Sequence, residues 1–72
     1  MSLYKAQIID LGRSHVNKDF FYNKLPELRR EIQSHLMSKG WDLHQVDNTD
    51  TYKVVAGFRE VGTVIVTEVK SI

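Results

Sequence analysis

Residues 25–46 read LPELRREIQSHLMSKGWDLHQV, and this stretch decides the fold. Leu25, Leu28, Ile32 and Leu36 recur at i, i+3, i+7 and i+11. At about 100° per residue they share one narrow arc, the apolar stripe of a helix that packs on a core. Phe21 extends that arc one turn earlier, and Glu27, Arg30, Glu31 and Ser34 lie on the opposite side. Pro26 is tolerated only in the first turn, where its missing N–H has no partner to lose. Asn23 is therefore the expected N-cap, with Asn17 as an alternative start and a kink near Pro26. Gly40 suits a left-handed helix stop, and Trp41 just beyond it folds back on the helix end.

Beyond the helix, Trp41 to Val46 alternates as a strand, with Trp41 and Leu43 opposed to Asp42 and His44. The turn formers Asp47-Asn48-Thr49-Asp50 follow. Thr51 to Arg59 is the next strand, with Tyr52, Val54, Ala56 and Phe58 on its core side. Glu60-Val61-Gly62 reads as a turn, and Thr63 to Lys70 as a last strand rich in β-branched residues. Before the helix, Leu3 to Leu11 is a strand with Tyr4, Ala6 and Ile8 on one face and Lys5 and Gln7 on the other. Gly12 closes it. Arg13 to Asp19 is polar and aperiodic and reads as a loop. Phe20, Phe21 and Tyr22 cannot all face one core, so at least one is expected at the surface.

The expected fold is α+β, in the order β-α-β-β-β: one helix packed on a mainly antiparallel four-stranded sheet. The first strand, helix and second strand make a right-handed crossover, and strands two to four a meander.

The run Leu36-Met37-Ser38-Lys39-Gly40-Trp41-Asp42-Leu43 resembles the signature of a small domain-of-unknown-function family of bacteria and phages. In that family an N-terminal strand opens with an aromatic-Lys pattern, matched here by Tyr4-Lys5. Its helix ends in a Gly-Trp-acid-aliphatic turn, matched by Gly40-Trp41-Asp42-Leu43, and strands follow. The chain departs from the pattern in the Arg13–Asp19 loop and in its long final hairpin. The resemblance implies the fold, and a bacterial or phage accessory protein; it implies no activity.

At 72 residues the chain makes one domain, too short to bury a large core. Below about 80 residues a single core usually needs a disulfide, a metal or a partner subunit. There is no cysteine to supply the first. Net charge is +1, so charge alone implies no electrostatic partner. The sequence carries no membrane-length apolar run and no signal-peptide pattern, and reads as a soluble, cytoplasmic protein.

Chemistry is sparsely signalled. His15, His35 and His44 form no i, i+3 or i, i+4 pair, so no metal site is expected, and no cofactor is implied. Asp47 and Asp50 lack the spacing of a calcium loop. Ser14-His15 has no evident third, orienting group, and the glycines make no phosphate cradle. The chain is read as non-catalytic.

What remains is recognition. Arg29 and Arg30 are the only adjacent basic pair, and Lys53 and Arg59 share a strand face in this reading; these four are the candidate binding residues. A protein partner is favoured. Nucleic acid is the alternative, with Tyr4, Tyr52 and Phe58 available to stack on bases, but interspersed acids weaken a phosphate footprint. The last two strands are apolar on both faces, whereas one helix covers only one. Either surface valines reflect β-propensity, or Val55, Ile65 and Val69 form a self-association surface for a two-fold homodimer. The last strand, guarded only by Glu68 and Lys70, also offers an edge for pairing.

Overall fold

The N-terminal alternation forms β1 (Ser2–Leu11). Its inward residues Ala6 and Ile8 are buried, and so is Leu11, which has the opposite parity. A register shift between Ile8 and Leu11, with Asp10 at φ 54°, turns the strand by one residue so that Leu11 also faces the core. The Asp10 amide donates to Asn17 Oδ1 at 3.0 Å, satisfying a group that the bulge takes out of the ladder. The computed structural model describes residues 2–37 and 39–71, with the side chains of Lys70 and Ser71 outside the described set. The reading of Lys70 as an edge guard, and Ser38 in the helix-stop motif, therefore lie outside the described residues.

The expected loop at Arg13–Asp19 is instead a turn followed by β2 (Val16–Tyr22), paired antiparallel to β1. Its alternation is masked by composition. Lys18 shares the inward face with Phe20 and Tyr22, but its ammonium reaches Glu31 on the helix at 2.6 Å. Phe21 faces the other way and is half-exposed.

The helix α1 spans Leu25–Gln33 and buries Leu28 and Ile32. Lys24, not Asn23 or Asn17, is its N-cap residue. The first turn is satisfied from within: the Glu27 carboxylate accepts the amides of Asn23 (2.9 Å) and Lys24 (3.2 Å). The helix stops well before Gly40. The Ser34 hydroxyl donates to the Glu31 carbonyl at 2.6 Å, and tight turns carry the chain on to Leu36. Leu36 still packs on the core, from beyond the helix end.

Three strands follow, β3 (Trp41–Gln45), β4 (Thr51–Ala56) and β5 (Arg59–Ser71), and they form the expected meander. The β4–β5 turn is Gly57-Phe58, not Glu60-Val61-Gly62. Ala56 pairs with Arg59, and Gly57 takes φ 66°, which a two-residue hairpin loop asks of its first residue. Gly62 serves a different need, because a Cβ there would lie 2.7 Å from Leu11 Cδ1.

The sheet has five strands, not four, in the order β2-β1-β5-β4-β3, and every pairing is antiparallel. Among the described residues the expected parallel crossover is absent; α1 links the two edge strands, passing over the face between them. β5 lies at the centre, bonded to β1 and β4, so it offers no edge for a second copy. Its β-branched richness on both faces has a local cause: a central strand is the one most enclosed by neighbours. Among the described residues no helix is long and apolar enough to cross a membrane.

Glu31 is the electrostatic tie between helix and sheet. It accepts from Lys18 on β2 and lies 3.2 Å from His35 Nε2. The Lys18 bond, with a smaller help from His35, holds its carboxyl below the usual carboxylate range. A group with a depressed folded pKa contributes stability above its unfolded value and loses it as pH falls through the folded one. Glu31→Gln is thus expected to flatten the acid limb of stability, measured as the urea midpoint from neutral pH down to about 3. Parallel limbs for the two proteins would show that the tie contributes nothing.

Candidate interaction groove

The helix is nine residues long, about 14 Å, and the five-stranded sheet beneath it is about 19 Å across. One short helix cannot roof that face. Its packing lies toward β2, where the Tyr4, Tyr22 and Phe20 rings stack beside it, with Tyr4 and Tyr22 centroids 5.4 Å apart. Toward β4 and β3 the roof ends, leaving a groove of about 270 Å³. Tyr22, Leu25, Leu28, Leu43, Tyr52 and Val64 make its floor and walls, and Arg29 and Asp42 stand at its solvent end.

Each wall follows from local sequence. Leu25 and Leu28 are successive members of the helix stripe, and Leu25 is half-exposed because the groove opens beneath it. Leu43 is in phase with Trp41 on β3, and Tyr52 with Val54 on β4. The Arg29 guanidinium lies 4.9 Å from the Trp41 ring centroid and 3.8 Å from Asp42 Oδ1. The Trp41 indole N–H donates to Gln33 Oε1 at 2.6 Å, so the same ring clamps the helix to β3. Burial, reinforced by the nearby hydroxyls of Tyr4 and Tyr52, pushes the Tyr22 phenol up from its ordinary value. It stays neutral at physiological pH. The groove is an apolar slot lined by two tyrosines, with a cation–carboxylate pair at its lip. Such a surface suits an apolar side chain flanked by polar or charged groups.

The four candidate binding residues are not brought together. Arg29 borders the groove. Arg30 lies on the other side of α1, beside Phe20, Phe21 and Glu27. Lys53 is on the sheet face away from the helix, with its ammonium 3.9 Å from Glu60 and 3.3 Å from Thr63 Oγ1. Arg59 opens β5 next to the hairpin tip and does not share a strand with Lys53. Phe58, expected on the core side of its strand, is fully exposed in the turn.

Val55 and Ile65 do face away from the helix, as their alternation with buried Val54 and Val64 requires. They are half-buried, and register sets polar residues around them: Ile65 pairs with Gln7 and Thr51, and Val55 with Asp42 and Glu60. Val69 is half-exposed at the irregularity near Leu3. The three do not form one continuous patch.

His15 contacts Asp10 through Nδ1, so a carboxylate does orient the imidazole beside Ser14. Asp10, near the end of β1, and Ser14 and His15 in the turn after it are exposed and line neither depression beside the helix. His44 is exposed opposite Lys53. Among the described residues, no group of three His, Cys, Asp or Glu is placed to hold a metal ion.

Sequence reasoning missed Leu25, Asp42, Leu43 and Tyr52 as parts of one site. The inward phases of Leu25, Leu43 and Tyr52 were legible, though not the approach of Asp42; the signal that would have joined them was the mismatch between a short helix and a sheet one strand wider than expected.

No family model matches the chain, and no curated protein or solved structure does either.

Proposed function

We propose that this is a non-catalytic binding module that acts by protein–protein interaction and uses the groove between α1 and the β4–β3 side of the sheet. The observation that carries the reading is the groove: apolar walls, an opening at half-exposed Leu25, and Arg29 held on Trp41 at the lip. Aromatic and Arg anchors around an apolar slot, desolvated when a partner fills it, are what protein interfaces use for most of their binding energy. The distribution of cations favours a protein over nucleic acid. Arg29, Arg30, Lys53 and Arg59 sit on different parts of the molecule, while Lys5, Lys18 and Lys53 each face an acid at 3.5, 2.6 and 3.9 Å. A phosphate footprint needs clustered, available charge.

The test is a photo-crosslinking amino acid in place of Leu25, irradiated in the cells that make the protein and resolved with and without nuclease. A discrete protein adduct that survives nuclease supports the reading. Adducts to nucleic acid alone, or none above those of the same probe at exposed Arg13, overturn it.

A further inference from the structure

We propose that the occupant of the groove is a second copy of this chain: the β4–β5 hairpin tip of one protomer inserts Phe58 between α1 and the sheet of its partner. The proposal rests on the reading of the groove as a recognition surface and names its partner.

Phe58 is the starting point. It is completely exposed at the end of a hairpin whose turn conformation needs only Gly57. Turn positions ordinarily favour Asn, Asp, Ser and Gly, so the turn gives no reason for a phenyl ring there. An exposed aromatic on a rigid, projecting turn is a preformed anchor that loses little conformational entropy on burial.

The groove fits it in size. A dry apolar cavity of roughly 150 Å³ is enough for benzene. The groove, open to solvent on one side, offers about 270 Å³, with leucine and valine walls and two tyrosine rings for edge or face contact. The charges also match. Arg59, exposed, follows the ring directly, and Asp42, with its side chain 68% exposed, stands at the end of the groove. The 3.8 Å contact of Asp42 with Arg29 is long and open to water, so a second guanidinium has room to approach.

Connectivity argues for exchange rather than self-insertion. Tyr52 in the groove and Ala56 at the base of the tip are four residues apart on β4, about 13 Å. Asp42 at the lip pairs with Val55 near the base of the tip, but Phe58 is fully exposed in its own protomer, so the ring does not enter its own groove. Each copy carries one ring and one slot, both on the β4 side of the sheet. Reciprocal insertion about a two-fold axis fills both slots and leaves no ring exposed, which closes the assembly at two.

The experiment is sedimentation velocity on the full chain up to high micromolar concentration. The parent protein is expected to be a dimer. Phe58→Ser removes both inserted rings of the dimer and is expected to weaken association about 1000-fold, about 30-fold for each buried aromatic anchor lost. Because Phe58 is exposed within a protomer, the thermal midpoint at a concentration where the parent is monomeric should not move. Leu25→Arg, which blocks the slot from its half-exposed wall, should give the same monomer. Mixing the two variants should give a one-to-one complex, weaker than the parent dimer, since the ring of the Leu25→Arg copy can enter the open slot of the Phe58→Ser copy and one of the two insertions is regained. A parent that stays monomeric, or a Phe58→Ser protein that dimerises like the parent, overturns the proposal. If the parent is monomeric while the Leu25 probe still captures a different protein, the groove reading stands and only the second copy is removed.

Discussion

Trp41→Ala is expected to cost about 3–5 kcal/mol, the range for truncating a large buried aromatic. The ring is 7% exposed and sits at the start of β3, under the end of α1. It does three things at once. It belongs to the buried core with Ile32 and Val54. It binds Gln33 through its indole N–H and supports the Arg29 guanidinium from below. Total stability of a domain this small lies near the low end of the ordinary 5–15 kcal/mol, so the variant should be largely unfolded at 37 °C. Trp41→Phe separates the contributions. It keeps most of the apolar contact and loses the indole donor, and should cost about 1–2 kcal/mol. Urea denaturation followed by circular dichroism measures both, since Trp41 is the only tryptophan and fluorescence would vanish with it. An alanine variant melting near the parent temperature would mean that β3 is held without the ring.

Gly12→Ala carries the second largest expected effect, about 2–5 kcal/mol. Two penalties coincide there. Gly12 takes φ 71°, where a side chain costs roughly 1–2 kcal/mol. A Cβ would also lie 2.8 Å from the carbonyl oxygen of His35, a backbone atom that cannot swing away. Forcing such a contact usually costs about 1–3 kcal/mol. Gly57→Ala is the control. Its φ is 66°, but a Cβ there meets nothing within 4 Å. It should show the conformational penalty alone, about 1–2 kcal/mol. Equal losses at the two sites, measured by urea denaturation, would refute the close approach of the β1–β2 turn to the chain beyond α1.

The register of that turn explains much of what sequence reading missed. Val16–Tyr22 looked like a loop because an inward lysine interrupts its apolar face. Periodicity scores a residue by type and cannot know that Lys18 spans from sheet to helix to meet Glu31. The helix looked a turn longer at its end because Leu36 fits the stripe, and it does reach the core. Only the competition of the Ser34 hydroxyl for the Glu31 carbonyl shows that Leu36 arrives there by turns. Gly62 and Gly57 exchanged roles for a similar reason. One glycine supplies a positive φ and the other supplies space, and a sequence cannot tell these needs apart.

The sequence by itself determined the inward faces of β1, β3 and β4, the buried stripe Leu28–Ile32, the burial of Trp41, and the β3-β4-β5 meander. Those depend on periods of 2 and 3.6 and on short turns, which are local properties of the chain. Only the tertiary structure decided that β5 is central, that a fifth strand exists, and that the helix roofs part of the face. These depend on which strand edges find each other across most of the chain's length, and no local period encodes that. The groove belongs to the second group. Its walls come from four separate elements, and it exists because the sheet they build is wider than one nine-residue helix can cover.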